Sequence, residues 1–340
     1  MSHYLNRSVR SSLLTVAATL TAGATLAACG TTTGGAGASE GVDELQIIVP
    51  ADPGGGWDQT GRAMQKDLQD SDLVDSAQVV NVGGAGGTVG LAQLANERDP
   101  NTLMVMGLVM VGAIETNQSQ TTLEDTTPVA MLTEEPLVVV VPPDSPYQTV
   151  EDLVADIAER GKAVSVTGGS AGGADHILAG LMLKEFGVSA AEIAEKLNYI
   201  PYSGGGESLA ALLGEKVDAG ISGVGEYAEQ VKAGKLRALA VSGEESSPAL
   251  PDTPTLQEGG IDLVLTNWRG VVAPGNIDDS KAAELTGLME DLHGTDAWSR
   301  TLEENDWADA FLAGDEFASA LEEETTTVQQ TLRDIGLVEQ

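Results

Sequence analysis

Residues 137–143 read Leu-Val-Val-Val-Val-Pro-Pro, an apolar run that ends in two prolines. Consecutive β-branched residues predict a strand, and the prolines end it. From Glu44 up to this run, short β-branched segments alternate with amphipathic ones, and a second alternating series follows it, which is typical of α/β domains with parallel sheets. We therefore interpret residues 137–141 as the strand by which the chain leaves one α/β domain for another.

Capping patterns mark the helices of the second series. Thr149 with Asp152 predicts the start of a helix, and Ser189 with Glu192 forms the pattern of a capping box. Gly161 is expected to follow the end of the first of these helices. Helix starts and ends marked in this way support a separate α/β unit after residue 141.

The carboxyl-terminal part of the chain predicts a return to the first domain. Asp262-Leu-Val-Leu-Thr266 and Gly270-Val-Val-Ala273 have strand patterns, and the remainder has helical patterns. Strands followed only by helices cannot build a third sheet domain, so the chain is expected to cross back. Two crossings predict an α/β, two-lobed fold with a cleft, in which residues 43–141 plus 266–340 form lobe 1 and residues 142–265 form lobe 2.

The amino terminus has the composition of an export signal, with two arginines ahead of an uncharged run that ends at Ala28. Leu26-Ala-Ala-Cys29 resembles the lipobox of bacterial lipoproteins, which implies cleavage before Cys29 and acylation of that cysteine. We predict a signal peptide over residues 1–28, a flexible tether over residues 29–42 and a lipid anchor on the outer face of the cytoplasmic membrane. A chance cysteine beside an ordinary cleavage site is the alternative.

Composition excludes several classes of protein. The 340 residues carry 52 acidic and 17 basic side chains, a formal charge of -35, which opposes binding to nucleic acid or to an anionic bilayer. One cysteine and three histidines cannot supply a zinc cluster, an iron–sulfur centre or a disulfide framework. We therefore predict no metal and no cofactor, and we expect a monomer.

Four glycine-rich loops, each between a predicted strand and a predicted helix, carry the predicted chemistry. Glycine lets backbone amides approach a ligand, and the start of a helix leaves amides unpaired beside a partial positive charge. Several helix starts facing one cleft would bind carboxylates. A tight connection alone would explain any one loop, but the four together favour a binding site. The loops are Pro50–Asp58, Gly83–Gly90, Thr167–Asp175 and Tyr202–Glu207.

The acidic composition does not exclude an anionic ligand. A charge about 20 Å away in water contributes about 0.2 kcal/mol, whereas a hydrogen bond to a charged group contributes about 1.5–3 kcal/mol. The nearest cations to the loops are Arg62 and Arg269, and we interpret both as structural ion-pair partners, with ligand contact left open. Recognition is expected to come from backbone amides, hydroxyls and water.

Several motifs in this order resemble one family. They include Gly54-Gly-Gly-Trp-Asp58, Gly84-Ala-Gly-Gly-Thr-Val-Gly90, Gly169-Ser-Ala-Gly172, Ile200-Pro-Tyr-Ser-Gly-Gly205 and Leu250-Pro-Asp-Thr-Pro-Thr255. From about residue 45 to residue 338 the chain looks like the substrate-binding protein of tripartite tricarboxylate transporters, the TctC or Bug family. The resemblance implies a type II periplasmic-binding-protein fold, the Venus flytrap, which captures an organic polyacid and delivers it to a two-component membrane permease. Citrate, another tricarboxylate, a dicarboxylate and an aromatic acid all stay open as ligands.

By position, the resemblance implies ligand contacts from both lobes, which closure about the crossings near residues 137–143 and 255–266 would bring together. Asp58 is expected to order its loop or a water, and His176 to cap or pack at a helix start, with a ligand contact as the alternative. The family often has Ser or Thr where Trp57 stands. The implied binding residues are Gly55, Gly56, Trp57, Asp58, Gly87, Thr88, Ser170, Ala171, Gly172, His176, Tyr202, Gly204 and Gly205.

Two enzyme patterns compete with this interpretation. Gly168-Gly-Ser-Ala-Gly172 matches the nucleophile elbow G-x-S-x-G and would make Ser170 the nucleophile of a serine hydrolase. A triad needs a later histidine, and only His293 follows at a suitable distance, on a predicted exposed helix end. Gly223-Val-Gly-Glu-Tyr-Ala228 mimics a dinucleotide-binding pattern without its glycine-rich first βα context. We therefore predict a binding protein and not an enzyme, and a structural or signalling lipoprotein is the third hypothesis.

Overall fold

The computed structural model describes residues 42–202 and 205–338, so Cys29 and Gly204 lie outside the described residues. Within these ranges the strands are β1 Glu44–Val49, β2 Ser76–Asn81, β3 Thr102–Gly107, β4 Thr126–Val141, β5 Ser165–Gly168, β6 Asn198–Pro201, β7 Ala219–Gly223, β8 Arg237–Val241, β9 Thr266–Pro274 and β10 Ala308–Ala313. The α-helices are α1 Gly56–Asp70, α2 Thr88–Leu94, α3 Leu108–Thr116, α4 Val150–Arg160, α5 Ala174–Glu185, α6 Ala190–Lys196, α7 Gly205–Leu213, α8 Val224–Lys232, α9 Asp279–His293, α10 Asp296–Asn305 and α11 Gly314–Asp334.

The strands form two sheets that share β4. The first sheet has the order β2-β1-β3-β9-β4-β10, and the second has the order β8-β4-β7-β5-β6. The first part of β4, Thr126 to Pro136, pairs with β9, and the part from Leu137 onward pairs with β7 and β8. The predicted strand over residues 137–141 is therefore the last part of a strand of 16 residues.

This part of β4 is fully buried on both of its faces. Val138 and Val140 pack in a cluster with Leu212 and Tyr227 of α7 and α8, whereas Val139 belongs to the other hydrophobic cluster. Successive side chains of a strand point to opposite faces, so an uninterrupted run of valines suits a strand with helices on either side. The apolar run therefore forms the core of the second sheet.

Three expectations about the strands are wrong. Among the strands of residues 42–202 and 205–338, parallel pairing occurs only in β2-β1-β3 and β7-β5-β6, and the strand pairs that include β4 or β9 are antiparallel. Asp262–Thr266 is not a strand, because this segment is part of the crossing between the sheets and β9 begins only at Thr266. The carboxyl-terminal part is not purely helical, because β10 pairs with β4 at the edge of the first sheet.

Ser242 connects the two crossings between the sheets. Its amide donates to the carbonyl of Leu137 at 2.8 Å, and its hydroxyl accepts from the amide of Leu137 at 2.8 Å. The same hydroxyl donates to the carbonyl of Leu265 at 2.5 Å, and the amide of Leu265 donates to the carbonyl of Ser242 at 2.9 Å. Ser242 is fully buried, so these bonds are shielded from water.

Replacing Ser242 with alanine is expected to lower the free energy of unfolding by about 1–3 kcal/mol, because the amide of Leu137 would lose its acceptor in a buried place. Urea denaturation followed by circular dichroism measures this change. Ser299→Ala is the matched control, since its exposed hydroxyl bonds only to the backbone of its own helix, at Thr295. An equal, small effect of both substitutions would contradict the role given to Ser242.

Candidate ligand-binding cavity

A cavity of about 460 Å³ lies between the carboxyl ends of the parallel strands of the two sheets. The loops after β1 and β2 line one side, and the loops after β5, β6 and β7 line the other. Helices α1, α5, α7 and α8 begin near its wall. This volume suits a small molecule, and the carboxyl ends of parallel strands are where α/β proteins bind ligands.

Most of the binding residues predicted from the sequence line this cavity. Asp58, Thr88, Gly172 and His176 do not line it, and Gly204 lies outside the described residues. The residues that do line it are Gly55, Gly56, Trp57, Gly87, Ser170, Ala171, Tyr202 and Gly205.

Asp58 orders the first loop. Its carboxylate accepts hydrogen bonds from the amide of Gly54, the side-chain amide of Asn81 and the guanidinium of Arg62, each at 2.9 Å. Burial alone would raise the pKa of Asp58, but the hydrogen bonds from Arg62, Asn81 and Gly54 outweigh burial and hold that pKa below its usual value. Arg62 is therefore an ion-pair partner of the loop.

His176 packs against Tyr199 of β6 in the second sheet. Its Nδ1 accepts from the amide of Gly172 at 3.1 Å, and its ring stacks on Tyr199 with centroids 4.1 Å apart. Burial lowers the pKa of His176 to about 4, so the ring is neutral at physiological pH. Thr88 is similarly occupied, because its hydroxyl donates to the carbonyl of Ala85 at 3.0 Å.

Several amides of the glycine loops are bonded to side chains of the chain itself. Gly54 donates to Asp58, Gly172 to His176, and Gly169 to the Asp175 carboxylate at 2.5 Å. The amide of Gly56, the first residue of α1, donates to Oε1 of Glu226 on α8 at 2.8 Å, so this bond joins the two sides of the cavity. Anionic groups are favoured at helix starts, and at the start of α1 the protein itself supplies the anion through Glu226.

Acidic residues that were not predicted as site residues form a charged group with Arg269 on one wall of the cavity, and Arg269 is the ion-pair partner that was expected. Glu135 on β4 pairs with Arg269 on β9, and both side chains are 2% exposed. Asp175, Glu226 and Asn267 line the same cavity. Glu135 lies opposite Asn267 in the β4–β9 ladder, and Arg269 follows two residues later, so the three side chains share one face of the sheet.

Burial raises the pKa of Glu135 to about 7, although the positive charge of Arg269 acts to lower it. The carboxylate of Glu226 raises this pKa further. Burial also raises the pKa of Asp175 to about 7, although the amide of Gly169 donates to it, and Glu226 and Glu135 oppose its ionisation. The guanidinium of Arg269 lies 5.2 Å from the ring centroid of Trp307. The wall therefore holds more carboxylates than cations, in a place that bulk water does not screen.

Comparison with known proteins identifies the family. The model of the tripartite tricarboxylate transporter family receptor, TctC, matches residues 61–337. The chain belongs to this family. It is 32% identical to the protein BugT of Bordetella pertussis over 244 residues, 69% of this chain and 71% of BugT. It is also 32% identical to a protein of Agrobacterium vitis from the ttuE-ttuC' intergenic region, over 68% of this chain but only 65% of that relative's length.

Solved structures of TctC-type proteins show the same fold. The periplasmic binding protein BugD aligns with a TM-score of 0.77 at 20% identity, over 87% of this chain and 99% of BugD. MatC from Rhodopseudomonas palustris, solved with bound malate, aligns with a TM-score of 0.72 at 22% identity, over 87% and 99%. A further R. palustris protein, solved with adipate, aligns with a TM-score of 0.75 at 21% identity, over 86% and 97%. The predicted periplasmic-binding-protein fold is confirmed.

Membership of the TctC family also decides between binding and catalysis. The family consists of transport receptors, so the chain is a binding protein and not an enzyme, as predicted. The hydrolase alternative finds no support in the histidines within the described ranges, because the hydrogen bonds of His176 and His293 go to Gly172 and Asp309 and not to Ser170. Over residues 42–202 and 205–338, no helix has the length and apolar character needed to span a bilayer.

The free energy of unfolding of Asp175→Asn, relative to that of the unchanged protein, is expected to increase as the pH rises from 5 to 8. The folded carboxyl has a pKa of about 7 against 3.8 for the ordinary group, so the folded state binds the extra proton between these values and loses stability as the pH rises. Chemical denaturation at both pH values measures the difference in the free energy of unfolding. Glu323→Gln on exposed α11 controls for net charge, and a difference that does not vary with pH would contradict the prediction.

Proposed function

We propose that this TctC-family protein is the extracytoplasmic receptor that captures an organic acid in the cavity and delivers it to a two-component membrane permease. The carrying observation is the cavity itself, which is bounded by glycine loops from two sheets and is large enough for a small polyacid. The proteins solved with malate and with adipate support a carboxylate ligand, at 22% and 21% identity. Citrate and other tricarboxylates remain candidates alongside dicarboxylates.

Contacts between the lobes support capture by closure. Gly112 on α3 lies directly against the carbonyl of Gly172, and a Cβ atom at Gly112 would collide with that oxygen. The hydroxyl of Thr116, one turn further along α3, donates to the carbonyl of Ala171 at 3.3 Å. The loop that carries Ser170 and Ala171 therefore packs on a helix of the first lobe, and this packing encloses the cavity.

An organic acid at 100 times its dissociation constant is expected to stabilise the protein by about 2.7 kcal/mol, which scanning fluorimetry with a panel of di- and tricarboxylates detects. Gly112→Ala should keep the fold and lose most of this stabilisation, because the added methyl group holds the lobes apart. Calorimetry then measures the loss of affinity.

Gly287→Ala is the matched control for that variant. Gly287 also lies within a helix, and an added Cβ atom there would meet nothing within 4 Å. It should bind the acid as the unchanged protein does. If Gly112→Ala binds equally well, enclosure by α3 is not part of capture, and if no acid in the panel stabilises the protein, the proposed function is wrong.

We propose membrane anchoring through Cys29, based on the export signal and the Leu26–Cys29 motif in the sequence. Cys29→Ser should abolish acylation and release the receptor from the membrane fraction, which fractionation and mass spectrometry of the amino terminus measure. A variant that stays membrane-bound, with its signal cleaved normally, would contradict the anchor.

A further inference from the structure

The cavity is lined by more acidic than basic side chains. Among the described residues that line it, four are acidic and one is basic: Glu135, Asp175, Glu207 and Glu226 against Arg269. Arg269 is already paired with Glu135, so its charge is compensated within the protein. A ligand that brought only further negative charge would be repelled at short range and with little screening.

Glu226 occupies the position that a ligand carboxylate would take at the start of α1. Its Oε1 accepts the amide of Gly56 at 2.8 Å, and Ser222 donates to its other oxygen. The start of α7 also lies against it, because a Cβ atom at Gly205 would collide with this carboxylate. The start of α1 therefore already has an anionic partner supplied by the protein, the start of α7 lies close to the same carboxylate, and Glu226 faces the cavity.

Unpartnered polar atoms of both kinds belong to residues that line the same cavity as Glu226. Oδ1 of Asn267, an acceptor, has no hydrogen-bond partner within residues 42–202 and 205–338, and the same holds for the donors Nε and Nη1 of Arg269. The two residues are 8% and 2% exposed, and both line the cavity. Buried polar atoms are nearly always hydrogen-bonded, so these atoms point to a ligand that both donates and accepts within a short distance.

An ammonium group beside a carboxylate matches this arrangement. The ammonium group offers three donors, from which Glu226 and Asn267 can accept hydrogen bonds, and its positive charge compensates that of Glu226. The ligand's carboxylate can accept hydrogen bonds from Arg269. Because Asn267 and Arg269 are two residues apart on β9, their side chains lie on one face, and the two ligand groups must be close together. The α-carbon of an amino acid holds them in that relation.

We infer that Glu226 is a specificity-determining residue, and that the cavity selects organic acids that carry an ammonium group over the same acids without it. The inference deepens the proposed function and rests on it, since it names the class of organic acid. The ligand's own positive charge then compensates the carboxylates of the wall.

Titration calorimetry with four matched pairs tests this inference: aspartate and succinate, glutamate and glutarate, alanine and propionate, phenylalanine and 3-phenylpropionate. At least one amino acid is expected to bind about tenfold or more tightly than its counterpart, the effect of one hydrogen bond between charged groups. Glu226→Gln should reduce this preference by about tenfold. Glu229→Gln, the same change on the exposed side of α8, should keep the preference and controls for net charge.

Each other outcome overturns the inference in a recognisable way. If succinate and the other unsubstituted acids bind as tightly as their amino counterparts, the inference is wrong and the proposed function stands. Calorimetry in two buffers would then show whether bound protons, and not an ammonium group, compensate the carboxylates of the cavity. An unchanged preference in Glu226→Gln would exclude Glu226 as the determinant. If none of the eight compounds binds, and citrate does not bind either, the inference and the proposed function both fail.

Discussion

The buried serine Ser242 fixes the two crossings between the sheets, and the cavity lies between these sheets. The two sheets share β4 and are joined a second time by the segment that leads from β8 to β9, and Ser242 bonds to both crossings at once. No loop separates the sheets along β4, because the strand is continuous from Thr126 to Val141. Any rotation of one sheet against the other must keep these bonds, since a buried backbone group without a partner is costly. The distance between the opposing loops is therefore set near Leu137, Ser242 and Leu265.

Several amides of the glycine loops that line the cavity already donate to side chains of the protein, so these amides are not free to bind a ligand. A helix start attracts an anion, and Glu226 provides one for the amide of Gly56 at the start of α1, while the carboxyl group of Asp175 accepts from the loop amide of Gly169. Asp58 does the same for the first loop through the amide of Gly54. These bonds order the loops, and under the proposed function the side chains that project between them would recognise the ligand.

The features predicted correctly from the sequence depend on local signals. The valine run of β4 and the capping box of Thr149 with Asp152 are encoded in a few adjacent residues, and both are present. Glycine loops that follow strands also identified one side of the cavity and much of the other. Glu135 and Arg269 were missed as a pair because 134 residues separate them, and only the antiparallel register of β4 and β9 brings them together. Nothing local distinguishes Glu135 from the many surface acids of this chain.

Stability alone does not explain the buried pair of Glu135 and Arg269, and the inferred binding of a charged ligand does. Removing two charges from water costs about as much as their attraction returns, so apolar residues of similar size would hold the two strands at least as well. The pair leaves Nε and Nη1 of Arg269 without partners in the described part of the chain, which adds to that cost. A fold optimised only for stability has no use for such an arrangement at a cavity wall. Such an arrangement is useful where a charged ligand binds, as we infer here. The unpartnered atoms of Arg269 and its compensated charge are both available when that ligand enters.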